Sequence, residues 1–157
     1  MVIIEMDNGR TIKIEVDEQA APVTAANFLK LVKEGFYDGL TFHRIIPGFM
    51  IQGGGYDTDM KEHPAASIKG EFASNGVTNN LKHTRGVLSM ARTMVKDSAS
   101  SQFFIMHADA PHLDGDYAAF GLITEGLEEV DKIANVKRSP WNDMPNEPQV
   151  IKTMKLL

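Results

Sequence analysis

Hydrophobic and polar residues alternate at the start of the chain. Val2–Met6 is a short apolar, strand-like segment, and in Thr11–Val16 the residues Ile12, Ile14 and Val16 alternate with charged residues. A two-residue period is typical of a strand with one buried and one wet face. Asp7-Asn8-Gly9-Arg10 separates the segments, and Asn-Gly favours a tight hairpin turn. The sequence therefore predicts an opening β-hairpin.

The spacing of apolar residues becomes helical twice. From Pro22, apolar residues recur at Ala25, Phe28, Leu29 and Val32, with Gly35 at the exit. A second helix is predicted from Gly126 to Ala134, where Leu127, Val130 and Ala134 have the same spacing.

The remaining apolar segments are strand-like. Val87–Ala91, Gln102–His107, Tyr117–Ile123 and Val150–Leu156 are predicted strands, and the polar stretch 57–86 is predicted to form long surface loops. Many strands without a regular strand-helix alternation favour an antiparallel barrel or sandwich with helices at its ends. At 157 residues, without a repeat or a linker, one domain spanning 1–157 is expected.

The stretch from Phe42 to Gly55 places polar groups in an apolar setting. Two strand-like segments meet at Pro47-Gly48, a pair suited to a sharp turn. Alternation predicts that Arg44 shares a face with Phe42 and Ile46, that His43 points the other way, and that Met50 shares a face with Gln52. Arg44 then has two possible roles. It is either the hydrogen-bond donor of an apolar pocket, or a surface residue whose aliphatic side-chain carbons cover apolar neighbours.

Composition narrows the function classes. The chain has 16 basic and 21 acidic residues, a formal charge of −5, which argues against nucleic acid or an anionic membrane as the main partner. Cysteine is absent, which excludes disulfides and thiolate metal sites and is compatible with a reducing compartment. The N-terminal residues lack a secretory signal pattern, and no segment reaches the ~20 apolar residues of a membrane helix. We expect a cytoplasmic protein.

Three blocks resemble the cyclophilin family of peptidyl-prolyl cis/trans isomerases. The first is Phe42-His43-Arg44-Ile45-Ile46-Pro47-Gly48-Phe49-Met50 with Gln52-Gly53-Gly54. The second is Leu88-Ser89-Met90-Ala91 with Ser101-Gln102-Phe103-Phe104-Ile105, and the third is Leu113-Asp114-Gly115 with Phe120-Gly121. Their order and spacing also fit, and the resemblance extends over nearly the whole chain.

This resemblance implies a mainly β fold, a closed eight-stranded antiparallel β-barrel capped by two α-helices. It implies a cofactor-free isomerase whose catalytic arginine is Arg44, with His43 as a supporting residue. The residues that match the family's proline pocket are Phe49, Met50, Phe104 and Leu113. Those that match its peptide-gripping groups are Gln52, Gln102 and the backbone near Ala91 and Arg92.

Several positions depart from the family pattern. His112 stands where many eukaryotic relatives have tryptophan, and Tyr117 where they have histidine, so we expect an altered pocket rim and weak cyclosporin binding. Arg92 replaces an asparagine, which leaves substrate preference open. The segments 62–66 and 94–100 also differ, and these differences resemble prokaryotic members.

Other chemistries have weaker support. His107 and His112 lack further ligands for a metal site, so none is predicted. Ser100 and Ser101 lie in no nucleophile motif. Without the resemblance, Phe49, Phe104 and Leu113 would be ordinary core residues and Met50 a gap filler.

The expected partners are proline-containing peptides and unfolded clients, bound by a monomer. The alternative functions are a proline-binding module or chaperone with little catalysis, and a structural subunit of a larger assembly.

Overall fold

Eight strands and two helices make up the computed structural model, which describes residues 1–157. The strands are β1 (Val2–Met6), β2 (Thr11–Val16), β3 (Leu40–Ile46), β4 (Met50–Asp57), β5 (Val87–Met90), β6 (Phe103–Met106), β7 (Ala119–Glu125) and β8 (Ile151–Leu156). The helices are α1 (Pro22–Lys33) and α2 (Leu127–Ala134), and Ala73–Asn75 and Pro111–Leu113 are short 3-10 helices. Neither α-helix combines the length and apolarity that a bilayer crossing requires.

The strands form one antiparallel sheet in the order β3-β4-β6-β5-β7-β2-β1-β8. Its two outer strands meet, because the Gly39 N–H donates to the Ile151 carbonyl at 2.8 Å and the Phe42 N–H donates to the Gln149 carbonyl at 3.0 Å. Thr41 and Val150 form an antiparallel bridge at the same seam. The predicted eight-stranded barrel with two helices is confirmed.

Helix α1 covers the barrel with the face that the periodicity predicts. Ala25, Phe28 and Val32 are buried and Leu29 is half-buried, and the helix packs against β7 and β8. Proline at its first position needs no hydrogen-bond acceptor there. The helix ends before Gly35, whose φ of +70° is a conformation that favours glycine.

The barrel has apolar clusters on both sides of its wall. Inside lies the main core, which includes Phe28, Phe42, Phe103 and Phe120. Outside lies a smaller cluster, which we call the outer cluster: Met50, Val87, Phe104, Met106, Ala110, Leu113 and Ala119. Neighbouring residues of β6 therefore serve different clusters, as the two-residue period predicts.

One predicted face is wrong. Phe42 pairs with Gly53 and Arg44 with Gln52, so three residues of β3 oppose two of β4 and the register shifts between them. This bulge breaks the alternation. Phe42 points into the main core, whereas Arg44 is exposed beside the outer cluster.

Candidate active site

An open cavity of about 370 Å³ lies on the outer face of the barrel. Nine residues from β3, β4, β6, the β3-β4 turn, the loop after β5 and the segment before β7 line it: Arg44, Phe49, Met50, Gln52, Ala91, Arg92, Phe104, Leu113 and Tyr117. All nine are residues that the sequence proposed for the site.

The floor of this cavity is apolar and largely buried. Met50, Phe104 and Leu113 belong to the outer cluster and are 2%, 5% and 8% exposed. The Tyr117 ring meets the Phe104 ring edge-on, with centroids 5.8 Å apart. The floor therefore offers an apolar surface flanked by an aromatic ring, which suits a small ring such as that of proline.

The polar wall is a chain of hydrogen bonds. An Nη1–H of Arg44 donates to Gln52 Oε1 at 3.4 Å, and Gln52 Nε2 donates to Gln102 Oε1 at 3.1 Å. The Arg44 side chain has no other hydrogen bond and no ion pair, so its remaining N–H groups are available. Gln102 is not in the cavity lining, and its side chain reaches the lining through the hydrogen bond to Gln52.

Gln102 lies against a glycine. A Cβ at Gly55 would approach Gln102 Cγ to 2.5 Å, which is closer than real Cβ contacts. The Gln102 carbonyl also accepts from the Ala91 N–H at 3.0 Å. The missing side chain at Gly55 therefore leaves the space in which Gln102 reaches Gln52.

His112 lies at the rim. Its ring stacks on that of Phe49, with centroids 5.9 Å apart and planes inclined by 26°, but it is not part of the cavity lining. The altered rim expected from the sequence is thus a histidine-phenylalanine pair.

His43 lies outside this cavity. It lines a different one, of about 120 Å³, and its ring meets that of Tyr56 edge-on at 4.7 Å. Burial, assisted by the Arg44 charge, lowers the His43 pKa to about 4. The imidazole is therefore neutral near pH 7.

Sequence reasoning missed a buried constellation under the floor. His83 Nδ1 lies 2.9 Å from Asp114 Oδ1, and His83 Nε2 lies 2.8 Å from Ser89 Oγ. The three residue types match a hydrolase triad, but Ser89 is fully buried, so its hydroxyl cannot meet a substrate. Instead, the His83 ring stacks beside Phe104 at 6.1 Å, and the network supports the floor.

The polarity of the surrounding stretch hides this network in the sequence. His83 falls in the polar stretch 57–86, which the sequence assigned to surface loops, and it is 1% exposed. Burial lowers the His83 pKa more than Asp114 raises it. Burial raises the Asp114 pKa, but hydrogen bonds from the backbone and ring of His83, together with nearby positive charge, more than offset it, so the pKa is lowered.

The fold and cavity thus define a class of protein: a β-barrel with an apolar ring-sized pocket and a guanidinium at its edge. Comparison with known proteins defines it further. Residues 1–156 match the family model described as cyclophilin type peptidyl-prolyl cis-trans isomerase. The chain belongs to this family of isomerases, which act on Xaa-Pro bonds.

Two bacterial relatives cover most of the chain. A peptidyl-prolyl cis-trans isomerase of Acinetobacter baylyi is 50% identical over 154 residues, which are 94% of this chain and 79% of the relative. Peptidyl-prolyl cis-trans isomerase A of Dickeya dadantii is 44% identical over 154 residues, 93% of this chain and 79% of the relative.

A solved structure shares the fold. The crystal structure of a Cryptosporidium parvum cyclophilin type isomerase, obtained in the presence of the dipeptide Ala-Pro, is 29% identical with a TM-score of 0.81. The match covers 98% of this chain and 96% of that one.

Proposed function

We propose that this isomerase binds the proline ring of its client on the apolar floor of the outer cavity and donates a hydrogen bond from Arg44 to the proline nitrogen. The observation that supports this most is the position of Arg44, which lies beside an apolar pocket without an ion pair to neutralise its charge. The floor residues are Phe49, Met50, Phe104 and Leu113, with His112 and Tyr117 at the rim.

The chemistry needs no covalent step. Amide resonance gives the Xaa-Pro bond a rotation barrier of ~18–20 kcal/mol. In the twisted amide the lone pair returns to nitrogen, which becomes a hydrogen-bond acceptor, while the carbonyl becomes less polar. A donor at nitrogen and a dry surface therefore stabilise the transition state more than the ground state.

The arginine accounts for part of the acceleration. A hydrogen bond to a charged group contributes about 1.5–3 kcal/mol, which corresponds to about a 10- to 150-fold rate effect. The rest comes from holding the proline while the preceding residues turn. Gln52 and the backbone at Ala91 and Arg92 grip the peptide on either side, and Gln102 positions Gln52 through the hydrogen bond between their side chains.

His43 supports the catalytic residue. It precedes Arg44 in the bulge of β3 and contacts Tyr56 of β4, so it holds the strand position from which Arg44 projects. Its neutral imidazole adds no second charge beside the guanidinium.

We also propose that residues 1–157 act as one isomerase domain, as a cytoplasmic monomer on folding or unstructured polypeptides. The continuous main core supports the single domain. Fractionation with a tagged chromosomal copy tests the location, and light scattering tests the oligomeric state. The rim of His112 and Tyr117 supports weak cyclosporin binding, which calorimetry measures.

The test is exchange spectroscopy of a short Xaa-Pro peptide with wild type, Arg44→Ala and Arg44→Lys. We expect Arg44→Ala to lose about 10- to 150-fold in exchange rate while shift titration still detects peptide binding. Arg44→Lys keeps the charge but loses the planar donor fork, so it should recover only part of the rate. Binding without exchange by the wild type would instead establish the alternative, a proline-binding module.

A further inference from the structure

A second groove adjoins the candidate active site. It has a volume of about 710 Å³, and its lining includes Ser74, Thr93, Lys96 and Asp116. Arg92 and Tyr117 line both this groove and the cavity of Arg44. A peptide whose proline occupies that cavity therefore has a continuous path into this side groove.

Arg92 stands at the junction in a fixed position. Its guanidinium carbon lies 4.7 Å from the ring centroid of Phe72 and 4.8 Å from that of Tyr117. Its Nε–H donates to the Asp116 carbonyl at 2.9 Å, and one Nη1–H donates to the Thr93 carbonyl at 3.0 Å. Two rings and two carbonyls thus hold a half-buried side chain, so binding costs little further side-chain entropy.

Three N–H groups of Arg92 have no protein partner. A guanidinium carries five donors in one plane, and the Asp116 and Thr93 carbonyls use two of them. The remaining donors belong to Nη1 and Nη2. Adjacent in-plane donors match the two oxygens of a carboxylate or phosphate.

The charge of this surface is opposite to that of the whole chain. The two cavities are lined by three cations, Arg44, Arg92 and Lys96, and by one acidic residue, Asp116. The complete chain has a formal charge of −5. A positive groove on a negative protein favours the approach of an anionic segment.

We propose that the side groove receives the client chain next to its proline, and that Arg92 binds an anionic side chain there, a carboxylate or a phosphate. The isomerase then prefers clients with an acidic group close to the proline. This inference rests on the proposed function, because it takes the Arg44 cavity as the proline site.

The experiment compares exchange rates of a neutral Ala-Pro peptide with those of peptides carrying one Glu at each position within three residues of the proline. A phosphoserine at the best position forms a further arm. The proteins are wild type, Arg92→Gln, Arg92→Lys and Lys30→Gln. Lys30 is the matched control, because its loss removes one positive charge from the exposed face of α1.

For the wild type we expect kcat/KM of the best acidic peptide to be about threefold to tenfold higher than that of the neutral peptide. This increase is larger than that of an exposed ion pair and smaller than that of a buried hydrogen bond to a charged group. Arg92→Gln should bring this ratio close to one, Arg92→Lys should keep part of it, and Lys30→Gln should keep all of it. A larger ratio for phosphoserine than for Glu identifies phosphate as the better ligand.

Two outcomes overturn the preference while leaving the proposed function intact. In one, the wild type isomerises neutral and acidic peptides equally well. In the other, Arg92→Gln slows both kinds by the same factor, which would make Arg92 a purely structural link between Phe72, Tyr117 and Asp116. Absence of isomerisation with every peptide would instead overturn the proposed function, and the client preference with it.

Discussion

The ring of His107 accepts a hydrogen bond from the backbone N–H of Gly48, with 2.8 Å between Nδ1 and the amide nitrogen. An acceptor nitrogen carries no proton, so the proton of the neutral ring is on Nε2. That nitrogen lies 3.0 Å from Asp131 Oδ1. Arg85 in turn forms two hydrogen bonds to the same carboxylate. The corner before Phe49 is thereby tied to helix α2.

We predict that His107→Phe raises KM for proline peptides about twofold to fivefold, because a hydrogen bond of about 1 kcal/mol no longer holds the corner. The effect stays modest, since the backbone N–H of His107 still donates to the Phe49 carbonyl at 2.9 Å. Steady-state exchange kinetics measure KM and kcat separately. An unchanged KM would show that the corner holds Phe49 without the ring.

Gly55→Ala should impair peptide binding more than stability. The new Cβ displaces the flexible Gln102 side chain and breaks its link to Gln52. We expect KM to rise while the free energy of unfolding changes by less than about 1 kcal/mol. Urea unfolding and peptide titration measure the two effects. Adding Gln102→Ala should relieve the clash without restoring KM, and a restored KM would contradict the role given to Gln102.

Glu71→Ala should destabilise the fold by about 1–3 kcal/mol, because it leaves buried donors unpaired. The Glu71 carboxylate accepts from both the backbone N–H and the hydroxyl of Thr24, at 2.6 and 2.7 Å. These contacts cap the first turn of α1. Urea unfolding checks the loss, with Glu34→Ala as the control, an exposed glutamate at the opposite, C-terminal end of α1. Equal effects of the two variants would refute the capping role.

Acid should weaken the fold through His43. Its pKa is about 4 in the folded chain and about 6.5 when unfolded. Between these values the unfolded chain binds a proton that the folded chain does not, so the free energy of unfolding falls as pH decreases through this window. His83, whose pKa burial also lowers, acts in the same direction.

We therefore expect His43→Gln to lose less stability than the wild type between about pH 6.5 and 5, a range chosen above the titration of ordinary carboxyl groups. Urea unfolding at the two pH values gives the difference. Equal losses in both proteins would mean that the His43 ring titrates alike in the folded and unfolded chain.

Local sequence pattern was sufficient to predict those elements whose structure depends mainly on their own residues. The hairpin of β1 and β2 and the buried face of α1 follow from residue period, turn chemistry and the positions of Pro22 and Gly35. The two-residue period of a strand also accounts for the separation of Phe104 and Met106 from Phe103 and Ile105. Local pattern could not predict that the barrel closes, because the β3-β8 seam joins segments more than a hundred residues apart.

Local sequence pattern gave wrong or no predictions where contacts with distant segments determine whether a residue is buried. The bulge at His43 reverses the side of Phe42, and strict alternation contains no signal for it. Glu71 caps a helix 47 positions away, and His83 reaches Asp114 across 31 positions. A polar stretch is normally a solvated loop, so the buried roles of these residues were invisible. The site residues themselves came from the family resemblance.

The separation of the outer cluster from the main core has a consequence for divergence. The cavity floor rests on one side of the barrel wall, whereas most of the buried apolar surface that stabilises the barrel lies on the other. Substitutions at the rim, such as those at Arg92, His112 and Tyr117, can therefore accumulate without opening a void in the interior. Substrate specificity can therefore change in this fold with little loss in the free energy of unfolding.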